Sequence, residues 1–212
     1  MFKKDIDLVK YLHSKYGLQG PLLDAGGLES PTIADYDISV AKALRLDLTL
    51  EQHRWAVVVP HPIQNDRYLA IKRPWGFVDQ NYVILNPEYG DPVIEELPEL
   101  YSEQFNTVIL VSVFEHVSNP YLVSDALFKL LKPGGYLINS APFQFPYHPS
   151  PEDNFRYSPV ALRRIHESSG FTWIEGDFHV NYLSSAGVGD TNPNNYGAPQ
   201  SIIASYAFCR KP

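Results

Sequence analysis

Apolar positions along this chain repeat with two periods, and the period predicts each element. Residues 107–111 (Thr-Val-Ile-Leu-Val) are an uncharged, largely β-branched run, as in a strand buried on both faces of a parallel sheet. Between positions 121 and 131, Leu122, Ala126, Leu127, Leu130 and Leu131 recur at helical spacing. Ser118 and Asn119 are candidate N-caps for that helix, and Pro120 suits its first position. Lys129 and Lys132 fall where the helix dipole favours cations. Pro133 blocks continuation, and Gly134-Gly135 turn the chain into a second apolar strand at 136–139. Strand, helix and strand make a crossover unit, which predicts a parallel α/β sheet.

The same reading extends outward. Phe2, Ile6, Val9, Leu12 and Tyr16 share one face of a helix over 2–16 that Gly17 ends; packing on the sheet edge is its plain role. Leu22-Leu23 end a buried strand, and Asp24-Ala25-Gly26-Gly27 make a glycine-rich turn. Asp35 and Asp37 are candidate caps for a helix reaching Leu46. Residues 55–59 read as a strand with a hairpin partner at 68–71. Residues 82–85 are a second sheet strand, and 91–97 a short third strand ending in acids. Ser158 and Pro159 open a helix that turns Leu162 and Ile165 inward and stops at Gly170. Residues 173–180 and 201–210 are the last two strands, joined by a Gly/Asn/Pro/Ser-rich loop at 184–200.

Composition narrows the class. The 212 residues suit one domain, 1–212, with an N-terminal helix at about 2–17 and an insertion at about 31–80. A net charge of -7 with scattered Lys and Arg argues against nucleic acid as the partner. The single cysteine, Cys209, cannot form an intramolecular disulfide, suits a reducing compartment and reads as a small apolar residue of the last strand. No apolar run resembles a signal peptide or a membrane span, so a cytoplasmic protein with no membrane partner is expected.

Two motifs at their mutual spacing carry a resemblance: Phe114-Glu115-His116-Val117 after the buried strand, and Leu131-Lys132-Pro133-Gly134-Gly135 after the helix. Together they resemble the class I S-adenosylmethionine-dependent methyltransferases. The resemblance implies a Rossmann-like doubly wound sheet, mostly parallel with a C-terminal antiparallel hairpin. It implies S-adenosylmethionine as cofactor, with the methyl group passing to an oxygen or nitrogen of a small-molecule acceptor. It also gives the N-terminal helix a second reading, as a flap over the cofactor.

Carried over position by position, the resemblance assigns the methionine end of the cofactor to Asp24 and Gly26, with Gly27 beside them. The usual further glycines are replaced by Leu28-Glu29-Ser30-Pro31. The acid expected at the ribose is replaced by Asn86, which accepts hydrogen bonds without charge, and Glu88 is the alternative. Asn86-Pro87-Glu88-Tyr89 also resembles an amino-group methyltransferase motif, but precedes the strand which that motif normally follows. Glu95, Glu96 and Leu97 are the candidates at the adenine, and Ser112 lines the carboxyl end of the central strand.

An aromatic loop of Phe143, Phe145, Tyr147, His148 and Phe155 is a candidate acceptor pocket. His148 is the first candidate base and His116 the second, with Tyr147 beside them. The plainer role for Glu115 and His116 is to fix their loop by hydrogen bonds, and for Asp153 and Arg156 a structural ion pair. No metal-binding spacing is present in the sequence, so no metal is expected. A non-catalytic relative that keeps the fold for binding or assembly is the alternative, motivated by the shortened glycine motif and Asn86. Neither the acceptor nor the oligomeric state follows from the sequence.

Overall fold

A computed structural model describes residues 3–25, 56–60, 67–71, 82–85, 93–149, 152–182 and 201–212. Helix α1 (Lys3–Tyr16) leads through Gly17 into strand β1 (Leu22–Ala25). Strands β2 (Ala56–Pro60) and β3 (Arg67–Ile71) pair antiparallel as a separate two-stranded ribbon. Strand β4 (Tyr82–Leu85) returns to the main sheet. A 3-10 turn (Ile94–Glu96) and helix α2 (Pro98–Tyr101) precede β5 (Phe105–Val111), α3 (Pro120–Leu130) and β6 (Leu131–Gln144). Helix α4 (Pro159–Ser168), β7 (Thr172–Glu175), β8 (Phe178–Tyr182) and β9 (Ser201–Arg210) complete the described chain.

The sheet order is β4-β1-β5-β6-β9-β7, with β8 also paired to β9. The pairs β1–β4, β1–β5 and β5–β6 are parallel, and every pair made by β9 is antiparallel. This is the Rossmann-like doubly wound arrangement with an antiparallel end. Alternation along the strands divides the core in two. Leu23, Val108, Leu110, Leu137 and Cys209 face α3 and α4, whereas Leu22, Ile109, Val111, Ile138 and Phe208 face α1.

Local chemistry sets the boundaries. Asn119 caps α3 by accepting hydrogen bonds from the Tyr121 and Leu122 amides, at 3.1 and 3.3 Å. Ser158 caps α4 through the Ala161 amide at 3.2 Å. Cys209 is buried in β9, and burial pushes its thiol pKa up.

Three expectations change. Of the strand expected at 91–97, the described residues 93–97 form none: Ile94–Glu96 are a 3-10 turn. Ile94 and Leu97 are both buried in one core cluster, which the i, i+3 spacing of a helical turn allows and strand alternation does not. Helix α1 covers a face of the sheet rather than its edge, with Val9 and Leu12 fully buried against β1, β5, β6 and β9. The stretch 173–180 is two strands, broken at Gly176-Asp177, and both pair with β9. The expected helix after Asp35 or Asp37 and the loop 184–200 lie outside the described residues. Among the described residues no helix is long and apolar enough to cross a membrane.

Candidate active site

Parallel pairing of β5 with β6 brings the loops that leave their carboxyl ends to the same edge of the sheet. The first begins at Ser112, whose φ of 56° is a left-handed conformation uncommon outside glycine. Its amide donates to the Ser140 carbonyl at 2.9 Å, and the His116 amide closes a tight turn onto Val113 at 2.9 Å. The second loop leaves β6 and carries Phe145 to Tyr157. It is tied to the first by main-chain bonds from Asn154 and Phe155 to the Glu115 carbonyl, at 2.8 and 3.2 Å. Asn154 Nδ2 also donates to the His116 and Val117 carbonyls, at 3.2 and 3.3 Å. Tyr157 anchors the far end by donating its hydroxyl to the Phe114 carbonyl at 3.0 Å.

These ties bring His116 and His148 together although 32 residues separate them in sequence. Their ring centroids lie 5.0 Å apart, edge to face. Both Nε2 atoms turn toward one carboxylate oxygen, Glu115 Oε1, at 3.7 Å from His116 and 3.9 Å from His148. The Glu115 side chain is only 1% exposed. Burial pushes its carboxyl up to about 7, against the opposing pull of its own backbone amide and of His116 and Arg156.

Each histidine is held from behind. His116 Nδ1 meets the Glu152 carbonyl. His148 Nδ1 lies 3.1 Å from the Pro146 carbonyl and 3.2 Å from Asp153 Oδ2. Asp153 also accepts the His148 amide at 2.9 Å and grips Arg156 through both carboxylate oxygens, with Nη2 to Oδ2 at 2.7 Å. The Arg156 guanidinium is the main reason that the Asp153 carboxyl is held down to about 2. The expected Asp153–Arg156 ion pair is therefore present, and it organises the loop that presents His148.

The remaining candidates fall in different places. Asp24 is fully buried in β1, in register with Ile84 of β4 and Ile109 of β5. Ser112 is exposed at the end of β5. Tyr147 is 73% exposed and Phe143 42%. Glu95 and Glu96 are exposed, while Leu97 is buried in the core among residues that include Leu23 and Ala25. Gly26, Gly27, Asn86 and Glu88 lie outside the described residues. The sequence indicated His116 and His148 separately, but not Glu115 as the group between them. A charged residue that directly follows a buried strand and Phe114 was the available signal. A second polar cluster, Ser140 Oγ with Asp5 Oδ1 and His179 Nε2, each at 2.9 Å, had no sequence signal because its members come from three distant elements.

A methyltransferase-domain family model matches residues 78–139, which include β4, β5, the Glu115-His116 turn, α3 and the Gly-Gly strand entry. Over these residues the chain is similar to that methyltransferase-domain family. The cofactor of that family is S-adenosylmethionine.

This chain is 39% identical over 56 residues to a ubiquinone biosynthesis O-methyltransferase of Pseudomonas fluorescens. The match covers 26% of this chain and 24% of the relative, so the chain spans about a quarter of the length of the curated relatives it matches. In fold it is similar to the Burkholderia thailandensis 1,6-didemethyltoxoflavin-N1-methyltransferase, a structure with bound S-adenosylhomocysteine. The TM-score is 0.54 at 12% identity, covering 97% of this chain and 77% of that one. It is also similar to the [4+2]-cyclase SpnF, with a TM-score of 0.51 at 15% identity over 98% of this chain and 80% of that one. At these identities the likeness is one of fold.

Proposed function

We propose that this chain transfers the methyl group of S-adenosylmethionine to an oxygen or nitrogen of a small-molecule acceptor. The observation that carries the reading is the buried Glu115 with His116 and His148, set at the carboxyl edge of a methyltransferase sheet. The cofactor supplies an electrophilic methyl carbon on a sulfonium sulfur.

The donors of this chain fit such a group. Asp24 is a carboxylate buried on β1, the strand that pairs with β5, and provides a negative partner for the ammonium of the methionine end. Ser112, exposed where β5 ends, offers a hydroxyl on the same edge. Gly26, Gly27, Asn86 and Glu88 complete the proposed cofactor contacts. Glu95 and Glu96 are exposed and so are free to meet the adenine.

On the acceptor side, Phe143, Phe145 and Phe155 supply apolar surface and Tyr147 a hydroxyl. His148 accepts the acceptor's proton, with His116 as the second candidate, and Glu115 stabilises the charge that results. Alignment of acceptor and methyl carbon is the main contribution of such a site.

Calorimetric titration of the purified chain with S-adenosylmethionine and S-adenosylhomocysteine is the test. One-site binding is expected, weakened at least ~10-fold in Asp24→Ala, as the loss of a charge-assisted contact implies. A folded protein that binds neither ligand would overturn the reading in favour of a non-catalytic module. An unchanged dissociation constant in Asp24→Ala would remove Asp24 from the site.

A further inference from the structure

We propose that Glu115, His116 and His148 form a binding site for one divalent transition-metal ion, zinc being the best match. One carboxylate oxygen and two imidazole nitrogens lie within 4.8 Å of one another. Tetrahedral zinc with bonds of ~2.1 Å separates its ligands by ~3.4 Å. The observed separations of 3.7 and 3.9 Å from Glu115 Oε1 to the two Nε2 atoms are only a few tenths wider.

Tautomer chemistry makes the argument sharper than proximity does. Nδ1 of His116 faces a carbonyl, and Nδ1 of His148 faces a carbonyl and a carboxylate. All three are acceptors, so each Nδ1–H donates to them and Nε2 is left as the ring atom that can ligate. Both Nε2 atoms face the oxygen of a carboxylate. Three potential ligand atoms converge on one place, and a cation there satisfies all of them.

A second observation points the same way. Glu115 Oε2 is buried and has no hydrogen-bond partner among the described residues, and such groups cost free energy unless a ligand satisfies them.

The surroundings are those of a ligand set. Metal-bound histidines generally donate their other N–H to a carbonyl or carboxylate, which fixes ring orientation and raises basicity. Glu152, Pro146 and Asp153 fill that role here. Two imidazoles and one carboxylate suit zinc and its first-row neighbours better than magnesium or calcium, and three protein ligands leave a fourth position open. The side chains of His116 and His148 are 17% and 32% exposed, so solvent ions reach them. The site is invisible to sequence spacing because one ligand comes from the loop after β5 and another from the loop after β6.

Metal binding here does not rest on the methyl-transfer reading. Within that reading, His116 and His148 would hold the ion with Glu115, and the ion's charge would acidify an acceptor hydroxyl in place of His148 acting as base.

The test uses the full chain, stripped with a chelator and dialysed. Zinc is titrated by calorimetry, metal content is measured after gel filtration, and cobalt serves as a visible-absorption probe. One ion per chain is expected. His148→Ala and Glu115→Gln should each weaken binding by at least ~100-fold, beyond the usual effect of losing an outer-shell partner. His13→Ala, on α1, should bind as the parent does, and circular dichroism melts establish that each variant is folded. Binding that does not survive gel filtration, or equal affinity in the parent and both site variants, overturns the proposal. So does a metal-free parent that Glu115→Gln destabilises, which would mean that a proton shared with the carboxylate already satisfies the cluster. Titrating S-adenosylmethionine into the same preparation separates the two readings. Cofactor binding without metal removes the metal site alone, and metal binding without cofactor removes methyl transfer alone.

Discussion

His166 shows how burial alone can fix a protonation state. It is fully buried, Asn139 Nδ2 donates to its Nε2 at 3.0 Å, and its Nδ1–H therefore donates to Ser124 Oγ at 2.9 Å. Loss of hydration pushes its pKa down from 6.5 to about 3. The unfolded chain binds this proton below about 6.5 and the folded chain does not until about 3. Stability from this residue is thus complete above 6.5 and is lost as pH falls toward 3, with a limiting slope of ~1.4 kcal/mol per pH unit. Urea unfolding between pH 7 and pH 4 should show this slope in the parent. His166→Gln should be less stable at pH 7 and should lose that part of the slope; equal slopes would mean that the imidazole titrates alike in both states. His148 has the same side chain but sits part-exposed beside two carboxylates, and its role differs accordingly.

At the scale of elements, the two glycines of the Lys132-Pro133-Gly134-Gly135 turn answer different demands. Gly134 has a φ of 82°, a conformation that L side chains rarely adopt. Gly135 is needed for space: a Cβ there would meet the Lys132 oxygen at 2.9 Å and the Asn106 oxygen at 3.1 Å. Those are main-chain atoms at the entry to β5 and β6, so they cannot swing away. Gly135→Ala should cost ~1–3 kcal/mol, the usual range for forced overpacking, read as a lower urea midpoint. No change would mean that the two strand entries are looser than the contacts imply.

The α3 cap, the α4 cap and the β2–β3 ribbon were all legible in the sequence, because capping and turn chemistry act within a few residues. Residues 91–97 misled because Val93, Ile94 and Leu97 offer too few positions to tell one period from another. The burial of Ile94 and Leu97 on one side decided the matter.

Across the whole molecule, the sheet holds two apolar layers that share the same strands. Leu12 of α1 is fully buried on one side, and Leu127 and Leu130 of α3 on the other. Leu12→Ala should cost ~2–5 kcal/mol, as large-to-small core substitutions do. Because both layers depend on β5 and β6, unfolding should remain one cooperative transition, with far-UV circular dichroism and tryptophan fluorescence coinciding. An early partial transition in Leu12→Ala would show instead that α1 detaches on its own, as a flap over the site would.

By itself, the sequence determined what depends on neighbours in the chain. Its periodicities gave the central strands and helices, its caps and glycines gave their ends, and the paired motifs around Glu115 and Gly134 carried the family resemblance. The tertiary structure decided what depends on partners far apart. It put α1 on a face of the sheet, divided 173–180 between two strands, and buried His166 against Asn139 and Ser124. Above all it brought His148 to Glu115 and His116. That meeting follows from the parallel pairing of β5 with β6 and the ties between their loops, and no spacing along the chain encodes it.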